Sequence, residues 1–233
     1  MAQKEVHPIL QRLHLDRLAK SYFGIIASYW LFQGMLYMDR REAAFKIFLD
    51  SILVGLLVVL HVNIVVSILI AHSINMFING HLYVLRKNIG KCHSNPKDFI
   101  AYVEKMYLRI QGIKFLTGAA AYGSLSRNEF KSSSDYDLRV FPANNATSWL
   151  KAVVWVFIER FRALLHGFPL DIYAFNLEVH DRKIRSDEPP IVIFDPLGII
   201  ARKYSASVSF ADFAARFKAT YIPNENDRKH NYV

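Results

Sequence analysis

Residues 122–138, YGSLSRNEFKSSSDYDL, are the stretch that decides the fold. An apolar, strand-like run at 113–121 leads into this stretch, and a second such run at 136–141 ends it. Gly123 allows a ligand to approach the backbone closely, and the exposed amides where a helix begins attract phosphate. Ser124 adds a hydroxyl donor beside them. The stretch therefore predicts a strand, a phosphate-binding turn that opens a short helix, and a second strand.

Carboxylates cluster at the start of the second predicted strand. Asp135 and Asp137 are two residues apart, so on a strand both side chains point to the same face. Neighbouring carboxylates repel unless a cation lies between them, and oxygen ligands of this kind suit magnesium. Asp171 lies in the apolar run 170–175, where an acid is costly unless it is paired or coordinated. If the two strands are neighbours, the three acids converge and could hold two metal ions that bridge a triphosphate and activate the attacking oxygen.

These residues together resemble the signature of the minimal nucleotidyltransferases of the polymerase-beta-like superfamily. That signature is Gly-Ser, two residues, Arg-Gly, a five-residue gap, and Ser-Asp-x-Asp-Leu. Asn128 stands where the family has its second glycine, a mild departure because asparagine tolerates left-handed backbone. The resemblance covers about 90 residues. The positions that match without insertion are Gly123, Ser124, Arg127, Ser134, Asp135, Asp137 and Leu138.

The resemblance implies a role for each matching residue. Gly123 and Ser124 would hold the triphosphate, and Asp135 and Asp137 would bind Mg²⁺, with two ions expected and Mn²⁺ as a substitute. Asp171 would be the third acid of the metal site and would assist deprotonation of the acceptor. Two further positions belong to the nucleotide-binding set, Arg127 and Ser134. For Arg127, a phosphate contact and an ion pair with Glu129 or another acid both remain open.

The rest of the chain predicts an α+β protein. Helical spacing of apolar residues covers 97–111, 147–166 and 210–221, and a further strand is predicted at 191–194. We expect a nucleotidyltransferase-type mixed sheet flanked by helices and preceded by an N-terminal hydrophobic helical hairpin. The expected regions are 1–90 (membrane-associated helices), 97–221 (nucleotidyltransferase domain) and 222–233 (polar tail).

Two apolar runs in the N-terminal part indicate membrane association. Asp50 and Arg86 enclose a stretch without any Asp, Glu, Lys or Arg. Its central part, 52–71, has the twenty residues that a helix needs to span a bilayer. The shorter run 21–38 is rich in aromatic residues. We expect either that both runs span as a hairpin or that the first lies in the interface and only the second spans. The sequence between them, 39–42, reads as a solvated connector.

Charge and composition indicate which class of binding partner the chain has. At 52% hydrophobic residues and a mean hydropathy of +0.14, the chain is too apolar for a disordered protein. Of the net charge of +9, residues 86–131 carry +6, from nine basic and three acidic side chains. Because this excess begins where the apolar run ends, anionic lipid ranks before nucleic acid as its partner.

The prediction is therefore a membrane-anchored nucleotidyltransferase facing the cytoplasm. It would transfer a nucleoside monophosphate from a nucleoside triphosphate to a hydroxyl or phosphate acceptor, such as a lipid- or sugar-linked one, and release pyrophosphate. Two alternatives stay open: the same chemistry on a soluble protein, tRNA or small molecule, and a nucleotide-sensing module without catalysis.

Overall fold

A computed structural model describes residues 21–35, 38–79, 94–178 and 188–222. The predicted tail 222–233 lies outside these ranges except for Ile222, as does the first part of the basic stretch 86–131. The helices are α1 (Tyr22–Phe32), α2 (Arg40–Val59), α3 (Ile64–Ile78), α4 (Pro96–Gln111), α5 (Ala146–Leu165), α6 (Ile199–Lys203) and α7 (Phe210–Tyr221). The strands are β1 (Leu116–Tyr122), β2 (Tyr136–Pro142), β3 (Leu170–Ala174), β4 (Ile191–Phe194) and β5 (Val208–Ser209).

The strands form one mixed sheet in the order β3-β2-β1-β4-β5. β1 pairs antiparallel with both β2 and β4, whereas β2 pairs parallel with β3 and β4 pairs parallel with β5. The parallel pairing of β2 and β3 needs a crossover, which α5 supplies. The expected α+β class, with a mixed sheet flanked by helices, is confirmed.

The two faces of the sheet bury different sets of side chains. Tyr136, Leu138 and Val140 of β2 join the larger core with residues of α4, α5 and α7. Phe141 and Tyr173 belong to a smaller core on the other face. Because side chains alternate along a strand, Asp137 and Arg139 lie on the face of the smaller core. That face carries the candidate site.

The apolar run 52–71 is not one helix. α2 ends at Val59, the chain reverses through Leu60, His61, Val62 and Asn63, and α3 begins at Ile64. His61 adopts a positive φ of 62°, and the Asn63 side chain accepts a hydrogen bond from the backbone N–H of Val65, which caps α3. The expectation of a single spanning helix over 52–71 is therefore wrong, because a capping asparagine and a left-handed residue interrupt it.

The first run also forms a shorter helix than expected. α1 covers 11 residues and ends at Phe32, because the next residue, Gln33, has a positive φ of 43°. Within the described parts of the chain, we find no helix that has both the length and the apolar character to cross a membrane.

The connector 39–42 is only partly solvated: Arg40 and Arg41 are exposed, as expected, whereas Glu42 is buried. Asp39 caps α2, and Glu42 is 1% exposed. One oxygen of Glu42 accepts a hydrogen bond from Arg160 of α5 at 2.5 Å, and the other accepts one from the backbone N–H of Ala174 at 2.9 Å. Arg160 also donates to the carbonyl of Ile172 in β3. A buried ion pair therefore joins the N-terminal helices to the edge strand that carries Asp171.

Replacing Glu42 should destabilise the fold strongly. Glu42→Gln keeps the shape of the side chain but leaves the Arg160 guanidinium buried without a countercharge. Breaking a buried pair in this way costs about 3 kcal/mol or more. We expect that loss in the free energy of unfolding, measured by denaturant titration.

The matched control is Glu104→Gln, which removes the same charge from an exposed pair with Lys218. An exposed pair contributes less than about 1 kcal/mol. Equal losses in the two variants would contradict the structural role of Glu42.

Candidate functional site

The parallel pairing of β2 and β3 places two of the predicted acids side by side. Asp137 and Asp171 are partners in the strand register, and their side chains are 23% and 22% exposed. Asp135 directly precedes β2 and is half-buried. The strand adjacency on which the grouping of Asp171 with Asp137 depends is therefore present in the fold.

Arg139 supplies positive charge between these two acids. Its guanidinium lies 3.3 Å from Asp171 Oδ2 and 3.7 Å from Asp137 Oδ1. It also donates to the carbonyls of Asp171, at 2.7 Å, and Leu138, at 3.0 Å. Burial lowers the pKa of Arg139, but the charges of Asp171 and Asp137 outweigh that effect and raise it. Arg139 is therefore a fixed cation at the site.

One cation does not balance the local negative charge. The pKa of Asp137 lies well above its ordinary value of 3.8, first because burial disfavours its charged form and then because Asp135 and Asp171 repel it. A hydrogen bond with Asp171 acts in the same direction, whereas Arg139 opposes the shift. Asp137 is thus the residue at which a further cation would relieve the most unfavourable charge.

Gly123 lies against the Asp137 carboxylate. It follows Tyr122, the antiparallel partner of Asp137, and has a positive φ of 77°. A Cβ at this position would overlap Oδ2 of Asp137 and lie 3.1 Å from its Cγ. The position therefore requires glycine both for its conformation and for space.

The predicted helix after Gly123 is a single 3₁₀ turn, Gly123–Leu125, so it has no helix dipole to attract phosphate. The segment that follows is closed by its own hydrogen bonds. Ser124 Oγ donates to Ser134 Oγ at 3.4 Å, and Ser134 Oγ accepts from the N–H of Lys131 at 2.9 Å. Ser134 is 6% exposed and holds the loop together, whereas Ser124 is half-buried at its edge.

Arg127 takes part in ion pairs. It contacts Glu188 and lies 3.6 Å from Glu129 Oε2, which agrees with the ion-pair alternative.

Asn128 has a positive φ of 59°, the left-handed backbone expected where the signature has glycine. The Tyr221 hydroxyl accepts from the N–H of Phe130 and donates to the carbonyl of Asn128, so the end of α7 holds this loop.

Sequence reasoning missed Arg139 and Glu188. Arg139 has the same two-residue spacing from Asp137 that Asp137 has from Asp135, so strand alternation alone could have placed it at the site. No local signal connects Glu188 with Arg127, because the pair joins positions 61 residues apart in the chain.

The donor chemistry of the site fits a hard divalent cation, although the side-chain arrangement is not that of an assembled metal cage. Carboxylate oxygens are the ligands that Mg²⁺ prefers, and Asp137 has excess negative charge around it. Across the described ranges, no three or more His, Cys, Asp or Glu side chains form a group with metal-binding geometry. Arg139 instead lies beside Asp137 and Asp171.

No protein-family model, curated protein or solved structure matches this chain.

Gly123→Ala should lower the free energy of unfolding by more than a Gly→Ala change at another position with left-handed backbone. Gly167 has a φ of 61° and open space where a Cβ would stand, so Gly167→Ala measures the conformational cost alone, about 1 kcal/mol. Gly123→Ala adds the overlap with Asp137, and we expect a loss of unfolding free energy at least about 1 kcal/mol larger. Equal losses would show that the Asp137 carboxylate moves aside without cost.

Asp137→Asn should stabilise the protein near neutral pH without divalent metal. A folded-state pKa above the ordinary value makes the wild type lose stability as pH rises through that raised value. Asparagine never ionises, so the variant avoids this loss. We expect a gain in the free energy of unfolding, because burial and the repulsion from Asp135 and Asp171 act on the charged carboxylate and not on a neutral amide.

The gain should shrink as pH falls towards 3.8 and vanish below that value, where the wild-type carboxyl is protonated in both the folded and the unfolded state. Thermal melts in EDTA from pH 4 to 8 measure it. Asp98→Asn, on the exposed first turn of α4, is the control and should show no such gain. A destabilised Asp137→Asn at pH 7 would contradict the charge crowding.

Proposed function

We propose that this chain is a metal-dependent nucleotidyltransferase that moves a nucleoside monophosphate from a nucleoside triphosphate to a hydroxyl or phosphate acceptor and releases pyrophosphate. The observation that carries the proposal is the register of β2 and β3. It sets Asp171 beside Asp137, and the carboxylate of Asp137 lies against the glycine of the Gly-Ser turn. Those are the residues that the resemblance assigns to metal and triphosphate.

Asp135 and Asp137 would hold Mg²⁺, with Asp171 as the third acid. When bound, the ion would neutralise triphosphate charge and act as a Lewis acid on phosphoryl oxygens. The raised pKa of Asp137 supports this assignment, because a divalent cation offsets the repulsion that raises it. Groups with perturbed pKa values gather at functional sites more often than elsewhere.

The chain's own residues would orient the reactants and move one proton. Gly123, without a side chain, leaves room for the Asp137 carboxylate beside the turn, and Ser124 Oγ is the hydroxyl that would donate to a phosphate. An acceptor oxygen would attack the α-phosphorus, and the bond from that phosphorus to the leaving pyrophosphate would break. Asp171 would take the acceptor's proton, while Arg139 holds its carboxylate in place.

The acceptor proposed here is lipid- or sugar-linked, because an enzyme attached to a membrane meets membrane-borne acceptors at high effective concentration. The catalytic side would face the cytoplasm, where nucleoside triphosphates are available.

The test uses the purified full chain in detergent with Mg²⁺ and a total lipid extract. Each α-labelled nucleoside triphosphate is added in turn, and pyrophosphate release and the position of the label are followed. We expect pyrophosphate and a labelled lipid with at least one nucleotide. Asp137→Asn should reduce the rate at least about 100-fold and Asp98→Asn should not, because only the former removes a metal ligand.

Chelation of the metal should abolish turnover and restoration of Mg²⁺ should recover it. Label on protein, tRNA or a small molecule in parallel reactions would support the same chemistry with a soluble acceptor. Absence of pyrophosphate with every nucleotide and acceptor would overturn the proposal.

A nucleotide sensor without turnover is the second candidate, and Arg139 favours it. Its guanidinium already offsets part of the charge of Asp137 and Asp171 without any metal. A sensor predicts nucleotide binding that is unchanged by Asp137→Asn and by chelation. The binding measurement therefore separates it from the enzyme.

A further inference from the structure

The hairpin formed by α2 and α3 has an apolar end that projects from the rest of the protein. We call residues 51–71 the hairpin tip. Val59 is 75% exposed, Leu60 71% and Val65 61%. Successive residues turn by about 100° around a helix axis, so the exposed side chains of α3 cover most of its circumference. Those side chains are Ile64, Val65, Val66, Ile68, Leu69 and Ile70.

The charged side chains nearest the tip lie at the base of the hairpin and are paired there, whereas the exposed polar side chains of His61 and Asn63 lie at the reversal. Asp50 is the last charged residue of α2, and its carboxylate bonds with His72 Nδ1 at 2.9 Å and Asn75 Nδ2 at 2.8 Å. The Lys46 ammonium donates to the carbonyl of Gln33. From Ser51 to Ala71 there is no charged side chain. The molecule therefore changes from a polar base to an apolar tip within one helical turn.

Four backbone N–H groups at the reversal have partners within the chain. The N–H groups of Leu60, His61 and Val62 donate to carbonyls of α2, and that of Val65 donates to the Asn63 side chain. Ser67 Oγ donates to the carbonyl of Val62. In hydrocarbon an unpaired backbone group costs several kcal/mol, so a reversal of this kind suits an apolar medium.

The geometry points to lipid as the occupant of this surface. We propose that the hairpin tip inserts into one leaflet of a bilayer, with the Asp50–His72 pair at the level of the headgroups. A protein groove would cover one face of a helix, whereas the apolar side chains here extend around most of α3. The ten residues from Ser51 to Leu60 span about 15 Å, half of the roughly 30 Å hydrocarbon core.

This mode of attachment does not rest on the proposed chemistry. It also differs from both topologies expected from hydropathy, because each of those has at least one helix that crosses the bilayer, whereas the hairpin tip enters a single leaflet and crosses nothing. Basic residues are not required for it, so the tip should bind zwitterionic as well as anionic vesicles.

Flotation of the full chain with phosphatidylcholine vesicles tests the insertion. The wild type should float with the vesicles, and Val59→Glu/Val65→Glu should partition at least tenfold less, because each adds a charge to the hydrocarbon. The matched control is Leu108→Glu/Leu197→Glu, which changes two leucines of similar exposure outside the tip and should float like the wild type. Thermal melts should show all three folded, since the changed positions are exposed.

A second measurement reports depth. An environment-sensitive fluorophore on Val59→Cys, with Cys92→Ser to remove the native thiol, should shift to the blue and be quenched by lipids brominated on the acyl chains. The same label on Leu108→Cys should not respond. Two results would overturn the proposal: wild-type protein that stays in the aqueous phase, or a tip label that is shielded by a second copy of the chain without vesicles. Pyrophosphate release can be assayed without vesicles, so either result leaves the chemistry to its own test.

Discussion

Asp137 and Asp171 are held side by side by the main-chain hydrogen bonds of two parallel strands, so their repulsion cannot be relieved by moving apart. Arg139, on the same face of β2, offsets part of this repulsion, because its guanidinium contacts both carboxylates and two carbonyls. The negative charge that Arg139 does not offset acts together with burial on Asp137 and raises the pKa of its carboxyl. Structures keep such unfavourable charge mainly where a ligand or reaction makes use of it.

The strand β3, which carries Asp171, also contacts side chains that connect it to the N-terminal helices. Tyr173, two residues after Asp171 on β3, has the guanidinium of Arg139 4.9 Å from its ring centre and that of Arg160 4.7 Å from it. Arg160 in turn pairs with Glu42 of α2. The helices that lead to the hairpin tip are thus joined through buried, charged contacts to the strand of the candidate site. Any movement of α2 must disturb either this pair or β3.

Local signals predicted the elements around the site well. α4, Pro96–Gln111, matches the predicted helical span 97–111 to within one residue, and the Asn95 side chain caps its first turn. The bounds of β2, β4 and α7 also follow from apolar spacing, because each buries one face against the larger core. Hydropathy wrongly predicted one helix over residues 52–71. A window that averages apolar character does not detect the chain reversal at His61 and Asn63.

By itself the sequence determined the spacing of Gly123, Asp135 and Asp137, because those residues lie on one turn and the strand beside it, where local geometry is enough. It also determined that residues 51–71 would be apolar and uncharged. Only the tertiary structure decided that Asp171 lies in register with Asp137, that Arg139 serves both acids, and that Glu42 is buried against Arg160. The Arg139–Asp171 and Glu42–Arg160 contacts join positions 32 and 118 residues apart. They depend on strand order and helix packing, which no local sequence pattern encodes.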